Sequence, residues 1–254
     1  MLNFTILGSG TSTGVPLIGC SCAVCTSNDP LDKRLRTSLK VETATTSVVI
    51  DTTPDFRYQM LRTNTTKLDA VVFTHPHRDH YAGLDDIRPF NFFSQKPMHI
   101  YANEITQVAI KRDFYYAFEE RKEVGLPEMI LHTIDQDNFM VGDINFQPIH
   151  VMHRDMPVLG YRIGDMSYIT DANYISESEL EKVKGSQVLI LNALRKEPHP
   201  THFTLEQALD LVATLSIPTV YFIHFSHQIG LHQEVEASLP KGVHLAYDGL
   251  QFSL

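Results

Sequence analysis

Basic residues are scarce in this chain. Its 254 residues carry 21 Lys and Arg against 30 Asp and Glu, a formal charge of −9. That balance argues against broad binding to a nucleic-acid backbone, which needs a basic surface. It leaves room for a small anionic substrate held by metals and a local cation or two. Long apolar runs are missing as well: nothing approaches the roughly 18 residues of a membrane span, so no membrane partner is expected. The opening Met1-Leu2-Asn3-Phe4-Thr5-Ile6 lacks the basic region and apolar core of a signal peptide. It reads as a first strand, and a cytoplasmic location is expected.

Cysteine is limited to three residues, all in Cys20-Ser21-Cys22-Ala23-Val24-Cys25. An odd number spaced so closely makes a poor disulfide framework. Three thiolates and one remote His would make a tetrahedral structural zinc site; buried free thiols are the alternative. Repeats, low-complexity tracts and linkers are absent too. With 43% hydrophobic residues to fill a core, 1–254 reads as a single domain. The Gly-rich stretch Gly8–Gly14 lacks the Gly-Lys-Ser/Thr ending of a P-loop and the spacing of a dinucleotide fingerprint. A tight loop supporting a neighbouring site is expected there instead.

The most informative stretch that is present is Thr74-His75-Pro76-His77-Arg78-Asp79-His80, with the spacing H-x-H-x-D-H. Imidazoles and a carboxylate suit a borderline divalent ion such as Zn(II) or Mn(II). On an extended strand end His75 and His77 point the same way and can grip one ion. Asp79 and His80, beyond the turn, can reach a second. The preceding Leu68–Phe73 is apolar enough for a strand buried on both faces.

Strands are further expected at Leu2–Leu7, Ser38–Glu42, Ser47–Asp51, Met129–Ile134, Ile144–Val151, Val158–Ile163, Ser167–Thr170, Val188–Leu191, Thr219–Ile223, Val243–Ala246 and Leu250–Phe252. Helices are expected at Pro54–Arg62, Ile87–Ser94, Glu104–Ile110, Phe114–Lys122, Ser176–Lys184, Leu205–Leu215 behind a Thr204 cap, and Glu234–Leu239. Asp51, His153, Asp171 and His224 fall at or just past strand ends, completing a ligand set for two ions. Polar residues placed this way predict two β-sheets with outer helices and one site along their common edge.

Several segments together resemble the metallo-β-lactamase fold, and within it the PhnP-like phosphodiesterase branch. They are Gly8-Ser9-Gly10 through Gly14-Val15-Pro16, Gly19–Cys25, the His75–His80 block, Thr170-Asp171-Ala172, His224-Phe225-Ser226-His227-Gln228 and Tyr247-Asp248-Gly249. The cysteine cluster separates that branch from most proteins of the fold. The resemblance covers nearly the whole chain and implies an α/β class, four-layer αββα sandwich.

It also implies two divalent active-site ions, Mn or Zn. His75, His77 and His153 would hold the first, Asp79, His80 and His224 the second, with Asp171 bridging. A structural zinc would sit on Cys20, Cys22, Cys25 and His227, and Asp51 would orient a ligand His. The catalytic candidates are Asp79 and His202, the latter to stabilise the phosphate or protonate the leaving alkoxide. Arg88 reads better as helix-surface charge than as a substrate contact. The implied activity is hydrolysis of a small phosphodiester, with a cyclic ribose phosphate as one candidate, by a hydroxide bridging two ions, in a homodimer. Segment 86–135 departs most from the family founder and would form part of the pocket wall.

Three readings compete. An RNA endonuclease of the tRNA 3′-end type shares the histidine core, but the acidic balance and lack of a basic arm oppose it. Thioester or lactone hydrolysis uses the same centre. A non-catalytic metal-binding scaffold would be marked by lost ligands, and none is missing.

Overall fold

The structure is a computed structural model that describes residues 1–119 and 125–254. The first sheet takes β1 (Asn3–Gly8), β2 (Ser38–Glu42), β3 (Ser47–Ile50), β4 (Ala70–Val72), β5 (Met98–Ala102) and β6 (Met129–Thr133), plus β15 (Gln251–Ser253) from the far end of the chain. Its order is β15-β1-β2-β3-β4-β5-β6. The second sheet takes β7 (Phe139–Val141), β8 (Ile144–His153), β9 (Met156–Ile163), β10 (Met166–Ile169), β11 (Tyr174–Ile175), β12 (Val188–Asn192), β13 (Thr219–Ile223) and β14 (Val243–Leu245). Its order is β11-β8-β9-β10-β12-β13-β14, with β7 alongside β8.

Strands β3 to β6 pair parallel, as do β10, β12, β13 and β14. Of these, β3, β4, β10 and β12 are buried along their whole length because both faces are covered, whereas β5, β6 and β14 nearer the edges keep a partly exposed face. Between the sheets, Phe4, Ile6, Val48 and Val72 meet Phe146, Tyr161, Tyr168 and Ile190 in one core. The outer face of the first sheet is covered by α2 (Phe56–Arg62), α3 (Arg78–Tyr81), α4 (Arg88–Ser94) and α5 (Glu104–Asp113), through Phe56, Met60, Tyr81 and Ile110. That of the second is covered by α6 (Glu177–Val183), α7 (Leu205–Leu215) and α8 (His232–Glu236), through Val183, Ala208, Val212 and Val235. The result is the four-layer αββα sandwich expected; a short α1 (Ala23–Thr26) lies in the cysteine loop.

Helix α7 illustrates how local sequence sets an element. Thr204 accepts from the Gln207 N–H while the Gln207 side chain accepts from the Thr204 N–H, a complete capping box. Its buried stripe is Leu205, Ala208, Val212 and Leu215, spaced three to four apart.

Some boundaries differ from expectation. The helix expected over 114–122 is instead one 3-10 turn, Tyr115–Ala117, and residues 120–122 lie outside the described residues. Phe114, Tyr116 and Phe118 alternate, which is not a helical spacing, and all three pack on the outer core of the first sheet. Helix α8 begins before Glu234 because the remote Asp32 carboxylate accepts the His232 N–H at 2.9 Å. Elements of two to four residues, such as β7, β11, α1 and α3, are too short to show a period.

Parallel pairing in register (Ile50 with Val72, Ile169 with Leu191, Asn192 with Ile223) aligns the carboxyl ends of these strands. Everything the chain places just beyond those ends therefore converges on one edge.

Candidate metal centre

The strand ends deliver the expected residues to one spot. Asp51 follows β3, His75 and His77 lie just past β4, and Asp79 and His80 sit in α3. His153 ends β8, Asp171 follows β10, and His224 follows β13. Asp51, Asp171 and His224 each turn the chain with a left-handed φ, of 66°, 54° and 57°. Non-glycine residues rarely adopt that region, and it clusters at functional sites.

Asp171 is the hub. Donor atoms of Asp79, His80, Asp171 and His224 lie within 4.8 Å of one another, as do those of His75, His77 and Asp171, and those of His153, Asp171 and His202. One oxygen, Oδ1, lies 3.3 Å from His80 Nε2 and 3.2 Å from His224 Nε2. The other, Oδ2, faces His75 Nε2 at 3.7 Å. His80 and His224 of one expected set thus face one oxygen of the carboxylate, and His75 of the other set faces the second. His153 packs 5.1 Å from the His77 ring, on the side expected.

Do these residues fit cations? His75 Nε2, His80 Nε2 and His224 Nε2 are buried without a hydrogen-bond partner, although carboxylate oxygens are close. Each such orphan costs about 1–3 kcal/mol if nothing else satisfies it. Within each group the donor atoms lie within 4.8 Å of one another, close enough to share a cation. Imidazole and carboxylate donors suit Zn(II) or Mn(II), so the fit is good.

Backbone and side-chain partners fix the imidazoles. Asp51, fully buried, accepts from His80 Nδ1 at 2.7 Å and from the N–H and hydroxyl of Thr74 at 2.9 and 2.8 Å. An Nδ1–H donated to this carboxylate turns His80 Nε2 toward Asp171. Burial pushes the Asp51 carboxyl up, opposed by His80 and Thr74. His153 Nδ1 donates to the Thr201 carbonyl at 2.7 Å. Burial tends to raise Asp171, but the His224 and His80 rings outweigh it and hold the carboxyl well below the usual range. Asp51→Asn should lower metal affinity by roughly 10- to 100-fold while the fold is kept, read by metal retained in graded chelator.

His202 lies closer to the ligands than expected of a substrate-facing loop residue. Its ring is 4.5 Å from His153 and 4.8 Å from His224, and 8% of it is exposed. Burial pushes its pKa down to about 2, so the imidazole is neutral. Arg88 pairs with Asp85 on the surface of α4, away from the cluster, as expected.

The cysteines gather as well. Cys20 Sγ and Cys22 Sγ lie 3.5 and 3.2 Å from His227 Nδ1, and Cys25 completes a group within 4.8 Å. The His227 contact lowers Cys22 to about 6, whereas burial raises Cys25 to about 11. The four donors match a tetrahedral zinc site.

Residues 46–225 match the Beta-lactamase superfamily domain, a span holding every residue of this cluster from Asp51 to His224. The chain belongs to the metallo-β-lactamase superfamily. It falls in the PhnP family: the crystal structure of a diphosphatase of that family superposes with a TM-score of 0.94 at 41% identity, covering 100% of this chain and 98% of that one. An octanoyltransferase of Porphyromonas gingivalis strain W83 is 42% identical over 249 residues, 97% of this chain and 50% of that protein. The chain spans about half the length of the curated relatives it matches. Zinc-bound PqqB from Methylobacterium extorquens shares the fold alone, with a TM-score of 0.81 at 18% identity, covering 99% of this chain and 100% of that one.

Positioning residues in this PhnP-family chain include some that sequence reasoning did not find. Arg34, 2% exposed, donates to the Ser226 and Gly230 carbonyls at 3.2 and 3.4 Å and to Asp32 at 3.1 Å, over the Phe225 ring at 4.6 Å. It thereby holds the loop between His224 and His227. Asn192 pairs its amide with both backbone groups of Ala172, at 2.8 and 2.9 Å, fixing the turn after Asp171. A polar residue closing an apolar strand was its one sequence signal. Asp248 accepts from Ser9 and Leu35 and so anchors the Gly-rich loop. In that loop, a Cβ on Gly8 would meet the Arg36 carbonyl at 1.9 Å, so only glycine fits.

Proposed function

We propose that this chain is a metal-dependent phosphodiesterase acting on a small, cyclic ribose-type phosphodiester. The observation that carries the reading is Asp171, whose two oxygens face separate histidine sets with buried, unpartnered Nε2 atoms. His75, His77 and His153 would hold one divalent ion and Asp79, His80 and His224 the other, with Asp171 shared; Mn or Zn fits both. Such ions lower the pKa of water and offset charge on phosphoryl oxygens. Cys20, Cys22, Cys25 and His227 would hold a structural zinc.

The chain's own groups divide the remaining work. Asp51 and the Thr201 carbonyl fix ring orientation through the Nδ1 atoms of His80 and His153. Asp79, at the mouth of α3 and 3.3 Å from His80, orients the second set. His202, neutral and beside His153, is placed to donate a hydrogen bond to a phosphoryl oxygen. The diphosphatase relative supports phosphoryl chemistry. Acyl hydrolysis is the second reading, favoured by the octanoyltransferase relative, half of which lies outside the match.

The test is metal analysis of purified protein together with hydrolysis of bis(p-nitrophenyl) phosphate. About three metals per chain are expected, one surviving mild chelation, with activity that chelator removes and Mn(II) or Zn(II) restores. Loaded protein that cleaves an octanoyl thioester but no diester would favour the acyl reading. Inactivity on both would favour a scaffold.

A further inference from the structure

Seven non-glycine residues have a left-handed φ among the described residues: Asp51, Asn64, Gln95, Arg154, Asp171, Ser216 and His224. Six have an evident cause. Gln95 and Ser216 are the left-handed caps of α4 and α7, and Asn64 lies in the turn closing α2. Asp51, Asp171 and His224 belong to the metal centre. Arg154, at φ 58°, is left.

Arg154 is the first of two residues joining β8 to β9, where the ladder ends on the pair His153 and Met156. A left-handed slot in a two-residue hairpin suits Gly, Asn or Asp. The turn itself gives no reason for arginine. The position does: the residue directly follows His153, whose ring packs on His77 and His202 at 5.1 and 4.5 Å. Its N–H donates to Asn173 Oδ1 at 2.7 Å. Asn173 in turn donates through its amide to the Pro200 carbonyl at 3.3 Å and through its N–H to Met152 at 2.9 Å. One asparagine thus ties together the hairpin tip, the segment after Asp171 and the loop carrying His202. The Arg154 backbone is pinned at the rim of the site, while its side chain is 69% exposed. Its one ion-pair partner among the described residues is Asp155 at 3.3 Å, itself 91% exposed. An exposed pair of that kind holds a guanidinium weakly, so it is readily exchanged for an incoming anion.

We infer that Arg154 is a substrate-binding residue whose guanidinium engages the non-bridging oxygens of the bound phosphodiester from the rim. Arginine forks match such oxygens in pairs. The inference rests on the phosphodiesterase reading, and it adds a specificity element that none of the metal ligands supplies.

The experiment uses the metal-loaded full chain, with bis(p-nitrophenyl) phosphate as the probe, and compares wild type, Arg154→Gly and Arg154→Lys. Arg154→Gly should raise KM roughly tenfold or more, with kcat changed less than about threefold. Its KM should also lose much of its dependence on salt. Because glycine suits the slot, the melting temperature should hold or rise by up to about 4 °C. Arg154→Lys should recover part of the KM. A KM within twofold of wild type in Arg154→Gly overturns the assignment, as does a fall in bound metal or melting temperature that accounts for the loss. Wild type unable to cleave the diester overturns the phosphodiesterase reading instead, and with it the ligand given to Arg154.

Discussion

Replacing Asp171 with Ala is expected to lower kcat/KM on an aryl phosphodiester by at least about a thousandfold, close to complete inactivation. No other side chain belongs to all three donor groups of the active centre. Its loss removes a donor from both histidine sets at once, takes the nearest carboxylate oxygen from His224 and His75 Nε2, and leaves His80 Nε2 with Asp79 alone. His77→Ala, which strips one set only, should also be inactive but should keep more bound metal. Steady-state kinetics with metal counts on the same samples check both expectations. Circular dichroism should stay native, because the sheets pack through Phe4, Tyr161, Tyr168 and their neighbours, away from the strand ends. An Asp171→Ala protein retaining a tenth of wild-type activity would refute a shared-carboxylate centre.

The largest expected effect on stability comes from Arg34→Met. The Arg34 guanidinium and Asp32 carboxylate have side chains only 1% and 2% exposed, and burial lowers the arginine to about 10 against the pull of Asp32, which leaves it charged. Methionine keeps much of the volume but strands a buried carboxylate and two backbone carbonyls. Breaking a buried pair in this way costs about 3–5 kcal/mol, which is roughly 6–20 °C in melting temperature for a chain of this size. Adding Asp32→Asn in the same chain should cost less than it does alone, because the charge it removes is already unpaired. Thermal denaturation of the four proteins gives the coupling. The single variant should also release its tightest metal sooner, since Arg34 grips Ser226 and Gly230 on either side of His227.

Much of the cluster was legible in sequence because histidines and aspartates are chemically unusual at the ends of apolar strands. His75, His77, Asp79 and His80 announce themselves by spacing. Asp51, Asp171 and His224 each stop an apolar run where an all-buried strand would continue. The Thr204 cap and the stripe of α7 were legible for the same reason: local chemistry and local geometry coincide there. Arg34 was not, since an arginine in a loop reads as surface charge until the fold buries it beside Phe225. Asn192 contacts Ala172, twenty residues away, and no local pattern encodes that partner. His202 could be singled out from sequence, but not its burial, because loop sequence says little about depth. The 3-10 turn at Tyr115–Ala117 was lost to a helix reading because aromatic density there resembles amphipathicity without having its period.

The closing strand β15 pairs with β1 rather than with any strand made near it in time. Asp248, Ser9 and Leu35 make a second clasp between the two extremities of the chain, and Cys20 and His227 a third. During synthesis on a ribosome the first sheet must therefore wait, its β1 edge uncovered, until Gln251–Ser253 has emerged. Both donor clusters also draw a residue from the later part of the chain, His224 in one and His227 in the other. Pairings this distant in sequence make for a slow, high-contact-order search. A nascent chain interrupted before residue 224 would carry the H-x-H-x-D-H motif without His224 or His227, and so with neither cluster complete.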